Sequence, residues 1–193
     1  DAFVGNPPFL GGKRISSHLG DEYREFLFNW IAANRTGSAD ICAHFFLRAF
    51  SLIHLNGLFG LLATNTISQG DTRNVGLEQI DNAGGNIVWA YSSRPWPGIA
   101  AVVVSVVIVR KGDWVGIRRL DDCDVQTISP LLDSSAFLGN PYPLKANEGM
   151  SHYGSIVLGM GFILDEAGRS ELIAIEPAAA VVIKPFLNGE NLN

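Results

Sequence analysis

The sequence predicts an α/β chain, the second half of an open sheet followed from about residue 123 by a β-rich segment. Three observations carry this. Residues 58–64 and 99–109 are near-continuous apolar runs of strand length, the pattern of buried sheets. Residues 21–33 and the stretch after Asp40 place apolar side chains at helical spacing. Beyond Arg110 the texture changes, and over residues 149–162 glycine alternates with apolar residues.

The elements follow in order. Asp1-Ala2-Phe3-Val4-Gly5 reads as a strand already under way, without an initiator methionine, so the chain is expected to be a piece of something longer. Asn6-Pro7-Pro8-Phe9 stops it, because two prolines remove two backbone donors. Residues 10–20, with Gly11-Gly12, Lys13 and Arg14, read as a loop. The helix over 21–33 carries Tyr23, Phe26, Leu27, Trp30 and Ile31 on its apolar side. Ser38 or Asp40 caps a second helix, with Ile41, Phe45, Leu47, Ala49 and Leu52, and Asn56-Gly57 ends it. A strand over 58–64, a polar loop to Gly70 and a short helix over 75–82 come next. Residues 86–92 give a strand, Arg94-Pro95-Trp96-Pro97-Gly98 a rigid loop, and 99–109 a long β-branched strand with Ser105 inside it. Strand, helix, strand, helix, strand, strand is half of an open α/β sheet. Asp121-Asp122-Cys123-Asp124 is an acidic break, and a boundary is expected near residues 120–126. Ile156-Val157-Leu158 and Val181-Val182-Ile183 are the strand candidates beyond it.

Composition narrows the function classes. Of 193 residues 47% are hydrophobic and 17% charged, enough apolar material for a core and too much for a disordered chain. Fourteen basic against nineteen acidic residues leave a net charge of -5, so bulk charge offers no argument for nucleic acid. Cys42 and Cys123 form neither a disulfide framework nor a metal-ligand spacing, which fits a reducing compartment. The four histidines, His18, His44, His54 and His152, have no mutual spacing for metal or triad chemistry. The longest apolar run is too short to span a bilayer as a helix, and no signal-peptide pattern opens the chain.

The string Asn6-Pro7-Pro8-Phe9 carries the chemistry. The Asn6 side chain offers a carbonyl acceptor, and Pro7 keeps its carbonyl while the rigid Pro7-Pro8 turn fixes its direction. Two acceptors at the carboxyl end of a parallel strand, where such sheets bind ligands, can hold both hydrogens of an amino group. Phe9 adds a ring face for a flat heterocycle, such as an adenine extruded from a duplex. The bland reading is a strand-ending turn with Phe9 in the core. Gly139-Asn140-Pro141-Tyr142-Pro143 lacks a second consecutive proline and a preceding strand, and reads as a loop turn.

The segment from Phe3 to Arg14 resembles motif IV of adenine-N6 DNA methyltransferases of the gamma arrangement, and is most similar to the single-chain type IIL restriction-modification enzymes. Gly37-Ser38-Ala39-Asp40-Ile41-Cys42-Ala43-His44-Phe45-Phe46 resembles their motif V helix, residues 57–70 motif VI, and Ser93-Arg94-Pro95-Trp96-Pro97-Gly98 with 101–109 motif VIII. The tail, with Gly154-Ser155, Gly159-Met160-Gly161-Phe162 and Pro185-Phe186-Leu187-Asn188-Gly189, is similar to the segment entering their target-recognition region. The resemblance implies the C-terminal half of a class I, Rossmann-like, S-adenosylmethionine-dependent methyltransferase sheet. Residues 1–122 would then be the catalytic domain's C-terminal half, from motif IV to motif VIII, and 123–193 a linker and the start of target recognition. The family's glycine-rich cofactor motif has no counterpart in the chain, so the fragment alone is expected to be inactive.

Several roles follow from the resemblance. Asn6, Pro7, Pro8 and Phe9 would be catalytic, and Trp96 would stack on the other face of the flipped base. Asp40 either lines the cofactor site or is a helix N-terminal charge. Lys13, Arg14 and Arg94 are either DNA contacts or solvated charges. The implied cofactor is S-adenosylmethionine, with no metal for methyl transfer. The partners that the resemblance implies are double-stranded DNA and the missing N-terminal half of the same protein, with self-association of the fragment as a further expectation. It implies no membrane and a prokaryotic cytoplasm. Two other readings stand beside this one: an N-methyltransferase acting on RNA or a protein glutamine amide, and a non-catalytic DNA-recognition module.

Overall fold

A computed structural model describes residues 2–35, 37–97, 102–135, 144–150 and 163–185. The chain divides into two compact units, Asp1–Gly139 and Asn140–Asn193.

The first unit is a six-stranded mixed sheet. Strand β1 (Ala2–Gly5) leads through a 3-10 turn (Gly12–Arg14) into helices α1 (Ile15–Leu19) and α2 (Asp21–Phe26). A π-helical turn (Leu27–Ile31) extends α2, and α3 (Ile41–Leu52) then descends to β2 (Leu58–Thr64). A 3-10 turn (Asn65–Ser68), α4 (Gly70–Val75) and α5 (Leu77–Asn82) connect β2 to β3 (Gly85–Pro95). Strands β4 (Val103–Lys111), β5 (Arg118–Leu120) and β6 (Cys123–Val125) complete the unit. The spatial order is β1-β2-β4-β3-β5-β6. β1 and β2 are parallel, β4 runs against both its neighbours, and β3 therefore points the same way as β1.

One face of the sheet is packed. Phe59, Leu61 and Ala63 of β2 and Val107 and Val109 of β4 meet Cys42, Ala43, Phe46 and Phe50 of α3 in a single buried cluster. Phe46 and Phe59 are both fully buried, and their rings meet edge to face at 5.8 Å. Burying side chains of this size contributes about 1.5–3 kcal/mol each. Ile128 and Leu132 close the same cluster, so the packing of the first unit continues past the acidic break. The alternating burial of β2 shows one face fully buried and the other only partly covered. The sequence predicts a strand buried on both.

Several local expectations change. Within the loop expected over 10–20, residues 12–19 are helical, because Ile15 is buried against Leu27 and Ile41 and that contact orders the turn. The helix expected over 75–82 is two helices joined at Gly76. Gly76 leaves helical geometry with a ψ of -95°, and a Cβ there would sit 3.1 Å from the Ala43 methyl of α3, which favours glycine at the joint. Helix α3 stops at Leu52, ahead of Asn56, whose φ of 69° belongs to the left-handed region.

The second unit is described over 144–150 and 163–185, where it holds a 3-10 turn (Lys145–Asn147) and two helices, α6 (Glu166–Ile175) and α7 (Ala179–Val182). Asp165 caps α6 by accepting from the Gly168 amide at 2.7 Å. The strand expected at Val181-Val182-Ile183 is corrected: α7 includes Val181 and Val182, since Ala178-Ala179-Ala180 supply a strong helical start that two β-branched residues do not outweigh. The strand candidate Ile156-Val157-Leu158 and the glycine pairs around it lie outside the described residues.

Candidate functional site

The carboxyl end of β1 delivers the Asn-Pro-Pro-Phe string to the rim of the sheet. Asn6 is exposed, and its amide has no hydrogen-bond partner among the described residues. Pro7 is buried and Pro8 exposed. Phe9 is half-buried and packs on the main core cluster. The string thus leaves Asn6 and Pro8 exposed, while Pro7 is buried and the Phe9 ring is half-buried against the core.

What holds it there is the start of α3. The Leu10 carbonyl accepts from the Ile41 amide at 3.0 Å, and the Leu10 amide donates to Asp40 Oδ1 at 3.4 Å. The same Asp40 oxygen accepts from the Cys42 amide at 3.0 Å, which makes Asp40 the N-cap of α3. Ser38, the other capping candidate, instead donates its amide to Asp71 at 2.7 Å. Gly12 completes the contact: a Cβ there would lie 2.4 Å from the Ser38 carbonyl carbon and 2.5 Å from the Ala39 oxygen. A third element joins through Thr72 of α4, whose hydroxyl accepts from the Asp40 amide at 3.1 Å. Asp40 therefore ties the Pro-Pro-Phe loop to the start of α3 through its buried carboxylate, and to α4 through its backbone amide. Neither Thr72 nor Asp71 carries a sequence signal for this role, since both act across more than thirty residues.

Burial and the Asp40 carboxylate together push the neighbouring Cys42 thiol far above its ordinary range. His44, one turn along the helix, is 8% exposed and its Nδ1 lacks a partner. Burial lowers its pKa from 6.5, so the imidazole is neutral near pH 7. It lines a cavity of about 240 Å³ with Arg24, Phe28, Arg35, Gly37 and Ala39.

Trp96 lies at the same rim. β3 runs in the direction of β1, so the ends of both strands share one side of the sheet, separated by β2 and β4. Through the ladders Gly5 is level with Leu61, Val107 and Ala90, so Trp96 lies six residues beyond the level of the end of β1 as well as three strands across. Trp96 is 37% exposed, and its amide donates to the Val102 carbonyl at 2.9 Å. Arg94 is engaged on two sides. Its guanidinium pairs with Asp122 and sits over the Tyr91 ring, 3.2 Å from the centroid. The Tyr91 hydroxyl and then Arg94 hold the Asp122 carboxyl below the usual carboxylate range, and Asp122 in turn raises the Tyr91 hydroxyl. Lys13 and Arg14 are exposed in the 3-10 turn that follows the motif.

Among the described residues no cluster of three His, Cys, Asp or Glu is placed to hold a metal, and no helix is long and apolar enough to cross a membrane. The acceptors at the end of β1 suit a neutral, hydrogen-bearing group. Asn6, exposed at this strand end, carries a side-chain carbonyl able to accept from such a group.

Residues 2–118 match a family model described as the DNA-methyltransferase domain of MmeI. Among solved structures, one described as the type IIL restriction-modification enzyme MmeI in complex with DNA is similar, with a TM-score of 0.74 at 19% identity. The likeness covers 98% of this chain and 27% of that one, and at such identity it is a likeness of fold. None of the curated protein sequences matches the chain.

Proposed function

The chain belongs to the family of the MmeI DNA-methyltransferase domain, and we propose that it carries the target-base side of a site that methylates the N6 amino group of an adenine flipped out of duplex DNA. The observation behind this reading is the Asn6-Pro7-Pro8-Phe9 string at the carboxyl end of β1, locked by Asp40 with the Asn6 amide facing outward. S-adenosylmethionine supplies the methyl group. The residues of this chain supply alignment.

The adenine amino nitrogen is a poor nucleophile, because its lone pair is delocalised into the ring. Asn6 Oδ1 and the Pro7 carbonyl accept its two hydrogens and favour a pyramidal nitrogen as it attacks. As the N–CH3 bond formed, the methyl–sulfur bond would break, S-adenosylhomocysteine would leave and one amino proton would pass to solvent; no covalent bond to the protein is needed, so positioning and electrostatics would provide the acceleration. Phe9 stacks on one face of the base and Trp96 closes the other, each worth about 1–3 kcal/mol. The Asp40 carboxylate already accepts from Leu10 and Cys42, so its contribution is to hold the loop. Lys13, Arg14 and Arg94 stand at the rim as candidate phosphate contacts, Arg94 with part of its donor set already used by Asp122. In this reading residues 1–122 are the catalytic part, and 123–193 the linker and the beginning of target recognition.

The test is Asn6→Ala in the full-length protein, assayed with labelled S-adenosylmethionine on duplex DNA, with the modified base identified by mass spectrometry. Turnover should fall by about 10²–10³-fold, as for loss of one transition-state hydrogen-bonding group, with cofactor affinity unchanged. Near-normal turnover, or a methylated base other than N6-methyladenine, refutes the assignment.

A further inference from the structure

Strand β3 loses register with β4 between Tyr91 and Arg94, just before it delivers Trp96 to the rim. Tyr91 lies opposite Val106 and Arg94 opposite Val104, so Ser92 and Ser93 share one partner, Ser105. Such a bulge re-aims the chain beyond it, and left alone it is a weak point of the ladder. Here every polar group of Ser92 is secured. Its amide donates to Asp121 Oδ1 at 2.9 Å, its hydroxyl donates to Asp121 Oδ2 at 2.6 Å, and its carbonyl accepts from the Ser105 hydroxyl at 2.6 Å. Ser105 is fully buried, the one polar residue in a run of valines. Next to it, Asp122 takes the Tyr91 hydroxyl on Oδ1 at 2.7 Å and Arg94 on Oδ2.

The two aspartates form the tip of the β5–β6 hairpin, between the paired residues Leu120 and Cys123. Their φ angles, 49° and 68°, are both left-handed, as a two-residue hairpin turn of the primed type demands. Asn-Gly or Gly-Gly would make that turn with less strain. Aspartates stand there instead, and all four of their carboxylate oxygens are spent on the three residues that flank the bulge.

We propose that Asp121, Asp122 and Ser105 form a lock on the β3 bulge and so act as positioning residues for Trp96. The inference rests on the proposed methyl transfer for its consequence, but the lock itself has an independent readout. Without it, the segment from Arg94 onward gains freedom, and the ring meant to close over the base is misplaced. A displacement of about 1 Å at such a group costs up to about 10²-fold in rate.

The test uses the full-length protein. Asp121→Gly/Asp122→Gly keeps or improves the turn while deleting both carboxylates, Ser105→Ala removes the third anchor, and Asp121→Asn/Asp122→Asn restores acceptors without charge. Hydrogen exchange without DNA is followed over residues 92–97, and kcat, KM and 2-aminopurine fluorescence are measured on DNA carrying the probe at the target base. The glycine variant should exchange faster at 92–97 and lose about tenfold in kcat with KM for DNA little changed. Its 2-aminopurine signal should be reduced, and the Asn-Asn variant should recover most of each effect. Unaltered exchange at 92–97 in both the glycine and Ser105→Ala variants overturns the lock. Faster exchange with unaltered kcat and fluorescence overturns its role toward Trp96. If the unmodified protein methylates no adenine and brightens no 2-aminopurine, the methylation reading fails, while the exchange data still decide the lock.

Discussion

Replacing Asp40 with alanine removes the carboxylate that caps α3 and holds Leu10. Loss of an N-cap costs about 1 kcal/mol, within a range of roughly 0.5–2. The Leu10 bond is long at 3.4 Å, so it adds a contribution near the low end, about 0.5 kcal/mol. Because Asp40 is 7% exposed, water does not readily replace either bond. The sum is about 1–2.5 kcal/mol. For a chain of this size, that corresponds to a fall in Tm of roughly 2–10 °C. Asp40→Asn behaves differently, since asparagine caps as well as aspartate and keeps the acceptor, and its Tm should stay close to that of the unmodified protein. The assay is thermal unfolding followed by circular dichroism, with urea unfolding alongside to confirm an unchanged m-value. An Asp40→Ala variant within about 1 °C of the parent would refute the reasoning. So would an Asn variant as damaged as the alanine one.

Three further outcomes are expected. Burial holds the His44 pKa below 6.5 in the folded state, so the unfolded chain binds more protons in the window just below that value; stability should rise with pH up to about 6.5 and then level off, and His44→Gln should flatten that slope in pH-dependent urea unfolding. Cys42 is buried with its thiol pKa pushed up, whereas Cys123 is exposed, so Ellman's reagent should titrate one thiol promptly and the second only on unfolding; two fast thiols would contradict the packing of α3. Among the described strands β1 pairs only with β2, and Val4 is 89% exposed on it, so this chain by itself should self-associate through that edge; Val4→Lys should lower the mass seen by light scattering, and an unaltered mass would place the association elsewhere.

Much of this protein is written in local pattern. The runs at 58–64 and 99–109 announce strands because β-branched and apolar residues at that length fit a pleated, buried surface, and β2 occupies the predicted span. Asn6-Pro7-Pro8-Phe9 announces itself for the same kind of reason: two prolines end a strand wherever they fall. Its two acceptors and a ring are properties of the residues. Asp40 is legible as a cap because an aspartate before an apolar helical run satisfies that helix's own amides.

Tertiary structure decided what distant residues do to one another. Residues 12–19 fold into helix because Ile15 reaches Leu27 and Ile41, a contact invisible in a glycine-rich stretch with weak local preference. At Gly76, where α4 gives way to α5, a Cβ would press on the Ala43 methyl of α3, a contact that no window of sequence records. Asp40 holds the Pro-Pro-Phe loop only because the sheet brings Leu10 to the start of α3, thirty residues away along the chain. The acidic break at Asp121-Asp122 reads as a boundary, yet its carboxylates close on Ser92, Tyr91 and Arg94 of the strand beside it. Propensity and periodicity act over one or two turns, so the sequence alone determined which residues could do chemistry. The sheet order determined which of them stand at the same rim, because strands far apart in sequence become neighbours only once their hydrogen bonds and their shared core select the register.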